Sequence, residues 1–324
     1  MKSILGQVFS VIVCIGMASP ALSQNPATSD PGQNVDRHSS EAPAPVHGFN
    51  EYENFRGMVN SSGSLLKLDS TLGYDFNRYA GVFAGVPLYF ANDTSGTPGQ
   101  TRIHDAGAGD AYFGVEAYAP GRLINYSTTL TVSAPTGSVS KGFSPGKATI
   151  DWNNRFRHRF GRLTPFVAAG MGNTVPDSEL VTRNFISLGR VAHFEEGADF
   201  QLVQRVYLGS SAYQIVPFGS QQVFNRFETV VPHDGNQGPG HGGPGEHEGG
   251  PAPGLPPPGN TGQPSASGND LTREHGFDAW LGFEPTRVLR MELGYSRSVT
   301  FALNSFSFNV GVNIGKLLHA QWPH

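Results

Sequence analysis

The chain is poor in cysteine and in charge. Of its 324 residues only Cys14 carries a thiol, and it sits inside an apolar leader. Val13 precedes it, where a lipidation site requires a small residue. Once the leader is removed, no disulfide and no thiol chemistry remain. Asp, Glu, Lys and Arg make up 15% of the chain, well below the ~25% of typical soluble domains. The formal net charge of -4 supplies no basic patch, so nucleic acid is not expected as a partner. Beyond the leader no run of 18 uncharged apolar residues exists, which excludes a transmembrane helix. There is no G-x-S-x-G nucleophile elbow. Gly107-Ala108-Gly109 opens no helix and so is not a phosphate loop. His233, His241, His247 and His275, with Glu246 and Glu248, match no structural metal spacing and mostly lie in Gly/Pro-rich sequence. No enzymatic activity, cofactor or metal is expected.

Residues 1–23 have the form of a signal peptide. Lys2 is the positive start, Ile4 to Met17 a short apolar core, and Ala21-Leu22-Ser23 places small residues before a cleavage point at Gln24. Ser19-Pro20-Ala21 is a second cleavage option. Residues 24–48 are rich in Pro, Ser, Asn and Asp and are expected to be a disordered periplasmic lead-in.

What the chain does contain is glycine (42), phenylalanine (22) and strict alternation. Between Ile124 and Asn173, Ile124, Tyr126, Leu130, Val132 and Ala134 alternate with polar residues. After a Gly/Ser/Pro loop, Ile150, Trp152, Phe156 and Phe160 alternate with Asp151, Asn153, Arg155, Arg157 and Arg159. A tight turn at Gly161-Arg162 leads into a third segment, Leu163–Gly172. A period of two over eight or more residues marks a strand with one apolar and one polar face.

The same pattern recurs at Ser64–Phe76, Tyr79–Phe90, Ala108–Tyr118, Arg190–Gln204, Arg205–Pro217, Gly276–Glu284, Val288–Arg297 and Ser305–Gly315. That is eleven candidate strands, or twelve with the aromatic segment Gly48–Met58. Tight turns at Asn77-Arg78, Pro120-Gly121, Gly161-Arg162 and Pro285-Thr286 alternate with long segments at 91–107, 135–147, 173–188 and 218–275. Such sorting suits a membrane barrel with short periplasmic turns and long outer loops; a soluble β-sandwich has no reason for it. An exported chain without a membrane helix can be embedded only as a closed barrel, because every backbone group must be paired in lipid.

The expected fold is therefore all-β: a transmembrane antiparallel up-and-down β-barrel of about twelve strands, with ten as the alternative. The barrel spans 49–316, with a low-complexity Gly/Pro-rich loop at 232–267 and a tail at 317–324. The expected address is the bacterial outer membrane, with outer-membrane lipid and the barrel assembly machinery as partners. The expected function is a passive channel or transporter for small molecules. A non-conducting barrel with a structural or surface role is the alternative.

If the alternation holds, Arg155, Arg157 and Arg159 face the lumen beside Asp151. Asp110, Glu116, Glu195, Asp199, Asp278, Glu284 and Glu292 lie on the same face of other strands. These groups form either an interior salt-bridge network or a charged constriction that selects permeants. Tyr112, Tyr118, Tyr207, Tyr213 and Trp280 fall on inward faces. They either line a path for aromatic ligands or, as expected for at least half, belong to the interface girdles. Glu196 falls on the apolar face and fits neither pattern.

The run Thr131-Val132-Ser133-Ala134-Pro135-Thr136-Gly137, its Gly/Ser loop, and the strand opening Leu163-Thr164-Pro165-Phe166 resemble the outer-membrane transporter-like barrels associated with meta-pathway phenol degradation. The resemblance covers roughly Ser64 to Gly315. It implies an outer-membrane barrel that passes small apolar or aromatic compounds, and it brings no catalytic residues. The chain departs from the pattern of many outer-membrane barrels by running past its last clear strand to Trp322-Pro323-His324 instead of stopping on an aromatic residue.

Overall fold

A computed structural model describes residues 48–93, 104–121, 123–177, 182–226, 265–267, 273–286 and 288–314. The segments expected as leader and tail, nearly all of the expected lead-in and most of the low-complexity loop lie outside them. The described residues form β1 (Gly48–Asn60), β2 (Gly63–Asn77), β3 (Ala80–Asp93), β4 (His104–Ala108), β5 (Tyr112–Ala119), β6 (Asn125–Ser133), β7 (Thr149–Arg157), β8 (Leu163–Gly172), β9 (Phe185–Val203), β10 (Val206–Asn225), β11 (Ser265–Ser267), β12 (Glu274–Phe283), β13 (Leu289–Ser298) and β14 (Leu303–Asn313). Each wall strand pairs antiparallel with its neighbours in chain order, and β14 returns to pair with β1 from Tyr52↔Asn313 to Asn60↔Ser305. The sheet is closed. β4 and β5 both pair with β3 and act as one wall strand broken at 109–111. β11 pairs only with the tip of β10. The wall is thus a barrel of twelve strands.

Closure is what the sequence pattern requires. Val115, Leu130, Trp152, Val167, Leu208, Leu281 and Leu293 all point outward and are 40–65% exposed. In water this surface would be untenable for a monomer; against hydrocarbon it is the outward apolar band of a membrane barrel. Phe49, Phe76, Tyr79, Phe160 and Phe283 crowd the short-turn end on the same outer face, where an aromatic girdle meets the headgroups. No helix among the described residues is long and apolar enough to cross a membrane; the strands do the crossing.

The connections are sorted as expected, with two exceptions. One end carries 78–79, 120–124, 158–162, 204–205 and 284–288, with the start of β1 and the end of β14. The other carries 94–103, 134–148, 173–184 and 226–273, but also the brief 61–62 and 299–302.

Several boundaries shift. β1 is a full wall strand of 13 residues. β9 and β10 run to 19 and 20 residues, so 185–189 and 218–225 belong to strands and not to loops. Above Phe218 the β9–β10 ladder slips to Gln222, where Gly219 holds φ +79. The low-complexity loop ends in backbone pairing at β11. β7 stops at Arg157, because Phe160 closes back on Leu163 through a pair of backbone hydrogen bonds. Glu196 is exposed on the outer wall between Val167 and Ala212.

Candidate functional site

The interior has three levels. The lowest, nearest the short turns, is packed. Phe166, Tyr207 and Trp280 form a buried cluster, and the Arg155 guanidinium lies 3.7 Å from the Phe166 ring centroid, a close cation–π contact. The Trp280 indole N–H donates to Asp199 at 3.1 Å. Tyr207 donates to Glu292 at 2.9 Å and accepts from Arg290 at 2.8 Å. Arg290 and Asn309 also donate to Glu292, at 2.6 and 2.9 Å. The Tyr207, Arg290 and Asn309 donors converge on Glu292 and hold it as a carboxylate acceptor inside the wall, which is the condition for burying it.

The rings of this level lie flat on the wall. A Cβ at Gly209 would sit 2.0 Å from Trp280, and one at Gly282 would sit 1.9 Å from Tyr207. Each glycine is the cross-strand neighbour of its ring, so the missing side chain is what lets the ring fold down.

The uppermost level is a roof made by infolded loops. Phe143, in the 134–148 loop, is 1% exposed and packs with Met58, Leu65, Tyr89 and Ala91, its ring stacked on Tyr89 at 5.3 Å. Val175, in the 173–184 loop, packs with Phe185, Val191, Ile215, Val223 and Phe301. Charges then tie this loop across the barrel. Asp177 is 3.6 Å from Lys67 of β2 and 3.3 Å from Arg226 at the end of β10. It also accepts the Arg183 backbone N–H at 3.0 Å. Arg183 pairs with Glu274, whose other oxygen accepts from Tyr213 at 2.7 Å. β2 stands five strands from β8 around the wall, so the Lys67–Asp177 pair bridges nearly opposite sides. Burial alone would raise the Asp177 carboxyl, but Arg226 and Lys67 outweigh it and hold the group well below the usual carboxylate range.

Between roof and packed level lies a chamber of roughly 360 Å³, within the range of small-molecule sites. Its lining carries five carboxylates (Asp69, Asp151, Asp177, Glu195, Asp278) against three strong cations (Arg56, Lys67, Arg183). Tyr52, Phe83, Tyr112 and Tyr213 supply aromatic surface. Tyr112 donates to Asp69 at 2.7 Å, and Asp151 lies 2.9 Å from His193. Among the described residues no group of three acids, histidines or cysteines is placed to hold a metal ion.

The residues singled out from the sequence fall into three places. Asp151, Glu195 and Asp278 line the chamber. Arg155, Arg157, Glu116, Asp199 and Glu292 are 3–7% exposed, inside the barrel but off the chamber lining. Arg159 and Asp110 belong to neither. Arg159 lies past the end of β7, exposed in the turn, donating to the Gly161 carbonyl at 2.8 Å and to Gln201 at 3.2 Å. Asp110 sits in the break between β4 and β5, where it accepts the Gly137 N–H at 2.9 Å and anchors the 134–148 loop. Of the five inward aromatics, Tyr207 and Trp280 are buried inside and Tyr112 and Tyr213 line the chamber, so interior placement prevails over the girdle expected for at least half. His233, His241, His247, Glu246 and Glu248 lie outside the described residues.

No family profile matches the chain, and no curated protein matches it in sequence. Among solved structures, an outer membrane channel from Pseudomonas putida F1 superposes with TM-score 0.51 over 83% of this chain and 96% of that one, at 9% identity. The fold is that of an outer-membrane barrel. The KdgM porin, solved with disordered oligogalacturonate, superposes with TM-score 0.44 over 81% and 98% of the two chains, at 6% identity. The NanC porin superposes with TM-score 0.43 over 81% and 98%, at 9% identity. In this barrel the interior is polar, charged and aromatic while the exterior is apolar, the inverse of a soluble protein.

Proposed function

We propose that the protein is a passive outer-membrane channel for small molecules, aromatic ones among them. The chamber carries this reading. A barrel kept only as a structural post has no need of a hollow of roughly 360 Å³ at its centre, since interiors otherwise pack to crystal-like density. The rings of Tyr112 and Tyr213 lie against Gly85 and Gly276 of the neighbouring strands, leaving flat aromatic walls that suit a planar solute. The salt-bridge and selectivity roles expected for the interior charges coexist. The packed level and roof use most of the ions as structure, and the chamber keeps a surplus of carboxylates that acts on whatever passes.

On this reading the structure is the closed state, and the contacts of Asp177 with Lys67 and Arg226 are what must break to open it. The test is single-channel recording of the refolded protein in planar bilayers. Discrete conductance steps are expected. A protein that migrates as a heat-modifiable barrel yet never conducts would leave the non-conducting role in its place.

A further inference from the structure

We infer that the chamber binds a small organic cation, an ammonium group carried on an apolar or aromatic body. This deepens the channel reading, on which its role in permeation rests. Most charges of the chamber are already paired. Lys67 is committed to Asp69 and Asp177, Arg183 to Glu274, and Arg56, the third strong cation, adds its charge to the field on Asp177. His193 is committed to Asp151. Two chamber carboxylates are left over. Glu195 of β9 has no ion-pair or hydrogen-bond partner among the described residues. Asp278 of β12 is 3% exposed and is hydrogen-bonded by Ser296, but its Oδ1 has no partner among the described residues.

A buried carboxylate oxygen without a donor is costly; Asp278 has one, and the half-buried Glu195 faces the same cavity. They are brought together by the sheet. Tyr213 of β10 pairs with Glu195 on one side and with Gly276 on the other, and Gly276 is two residues along β12 from Asp278. Both acids therefore stand around the same ring, and an ammonium entering this corner supplies the missing donors to both.

The rest of the chamber fits the body of such a molecule. Tyr52, Phe83 and Tyr112 lie on the wall formed by β1, β3 and β5, with Phe83 and Tyr112 in edge contact at 6.1 Å. A bare metal ion is the poorer fit, because the cavity is far larger than one ion and no three ligating side chains converge among the described residues.

The test is equilibrium dialysis of the full mature barrel in detergent at neutral pH against three labelled probes that share one body: 2-phenylethylammonium, 2-phenylethanol and phenylacetate. The ammonium should bind at least roughly tenfold tighter than the alcohol, the scale of a charge-assisted hydrogen bond, and phenylacetate should show no saturable binding. Glu195→Gln should weaken the ammonium roughly tenfold or more while leaving the alcohol within about twofold, and Glu195→Asp should retain most of the affinity. Heat-modifiable migration checks that each variant folds, and the three-probe comparison on the native chain needs no variant at all. Equal binding of the three probes, no binding of the ammonium, or an unaffected Glu195→Gln each overturn the cation site. Conductance in potassium chloride, recorded separately, reports on the channel reading: a barrel that conducts but does not discriminate loses only the cation site.

Discussion

Asp177→Asn should release the roof. The substitution keeps the shape of the side chain and an acceptor for the Arg183 N–H, but removes the charge that faces Lys67 at 3.6 Å and Arg226 at 3.3 Å. Breaking a buried ion pair by neutralising one partner costs ~3–5 kcal/mol. The Asp177 side chain keeps 16% of its surface, which places the cost at the low end, about 3 kcal/mol. At ~1.4 kcal/mol per factor of ten, the docked-to-undocked ratio of the Asp177 contact falls on the order of a hundredfold. Lys67 and Arg226 stay fixed by β2 and β10, so the wall itself should not unfold. The assay is planar-bilayer recording. The variant should show longer or more frequent open events than the native protein, with the same single-step conductance. The pH dependence follows from the same carboxyl. Its value in the folded protein is depressed, so its contribution is fully present above the ordinary carboxylate range near ~4 and is lost only as pH falls through the lower folded value. Native gating should therefore be unchanged between about pH 7 and 5. Identical dwell times in native and Asp177→Asn channels would refute the gate, as would native opening that already rises at pH 6.

Other substitutions probe other parts of the molecule. Arg157→Ala removes a buried lumen cation and should shift the reversal potential in a salt gradient toward cation selectivity; an unmoved potential would assign Arg157 to packing alone. Val115→Arg places a charge on the apolar belt of β5 and should destabilise the folded barrel by ~2–4 kcal/mol, read from the urea midpoint in lipid vesicles. Gly282→Val drives a side chain into the Tyr207 ring, and overpacking of this kind costs ~1–3 kcal/mol; the temperature at which the barrel loses its fast gel migration should fall. Removing residues 232–260, which leaves β11 in place, should change neither that temperature nor the conductance step.

The wall was largely legible in the sequence because a strand writes its burial into every second residue. Phe113 and Val115 against Tyr112 and Glu116, or Trp152 and Phe156 against Asn153 and Arg155, show the two faces directly. The tight turns, at 78–79 instead of the expected 77–78 and at 161–162 as expected, then fix the register of the hairpins. Alternation fails where the chain leaves the ladder. Arg159 and Phe160 continue the pattern past Arg157, yet the backbone has already turned, and Asp110 keeps its parity inside a break. The contents of the barrel were the least legible. Lys67, Asp177, Arg226, Arg183 and Glu274 meet only because closure places β2 opposite the 173–184 loop, a relation no local period encodes. One signal was present. Phe143 is the single large apolar residue between Pro135 and Lys147 apart from Val139, and an isolated ring in a polar loop marks a place where the loop goes inside.

The rings folded onto glycines make the bore of the tube a shared property of neighbouring strands. Trp280 can lie down only while residue 209 is bare, and Tyr207 only while residue 282 is. A methyl gained on one strand is thus felt as a displaced indole or phenol on the next, and the two changes cannot be judged separately. Gly209→Ala and Trp280→Leu should each disturb the barrel, while their combination should do less harm than the two effects added. If the barrel conducts as proposed, the diameter at this level is set by pairs of positions that change together.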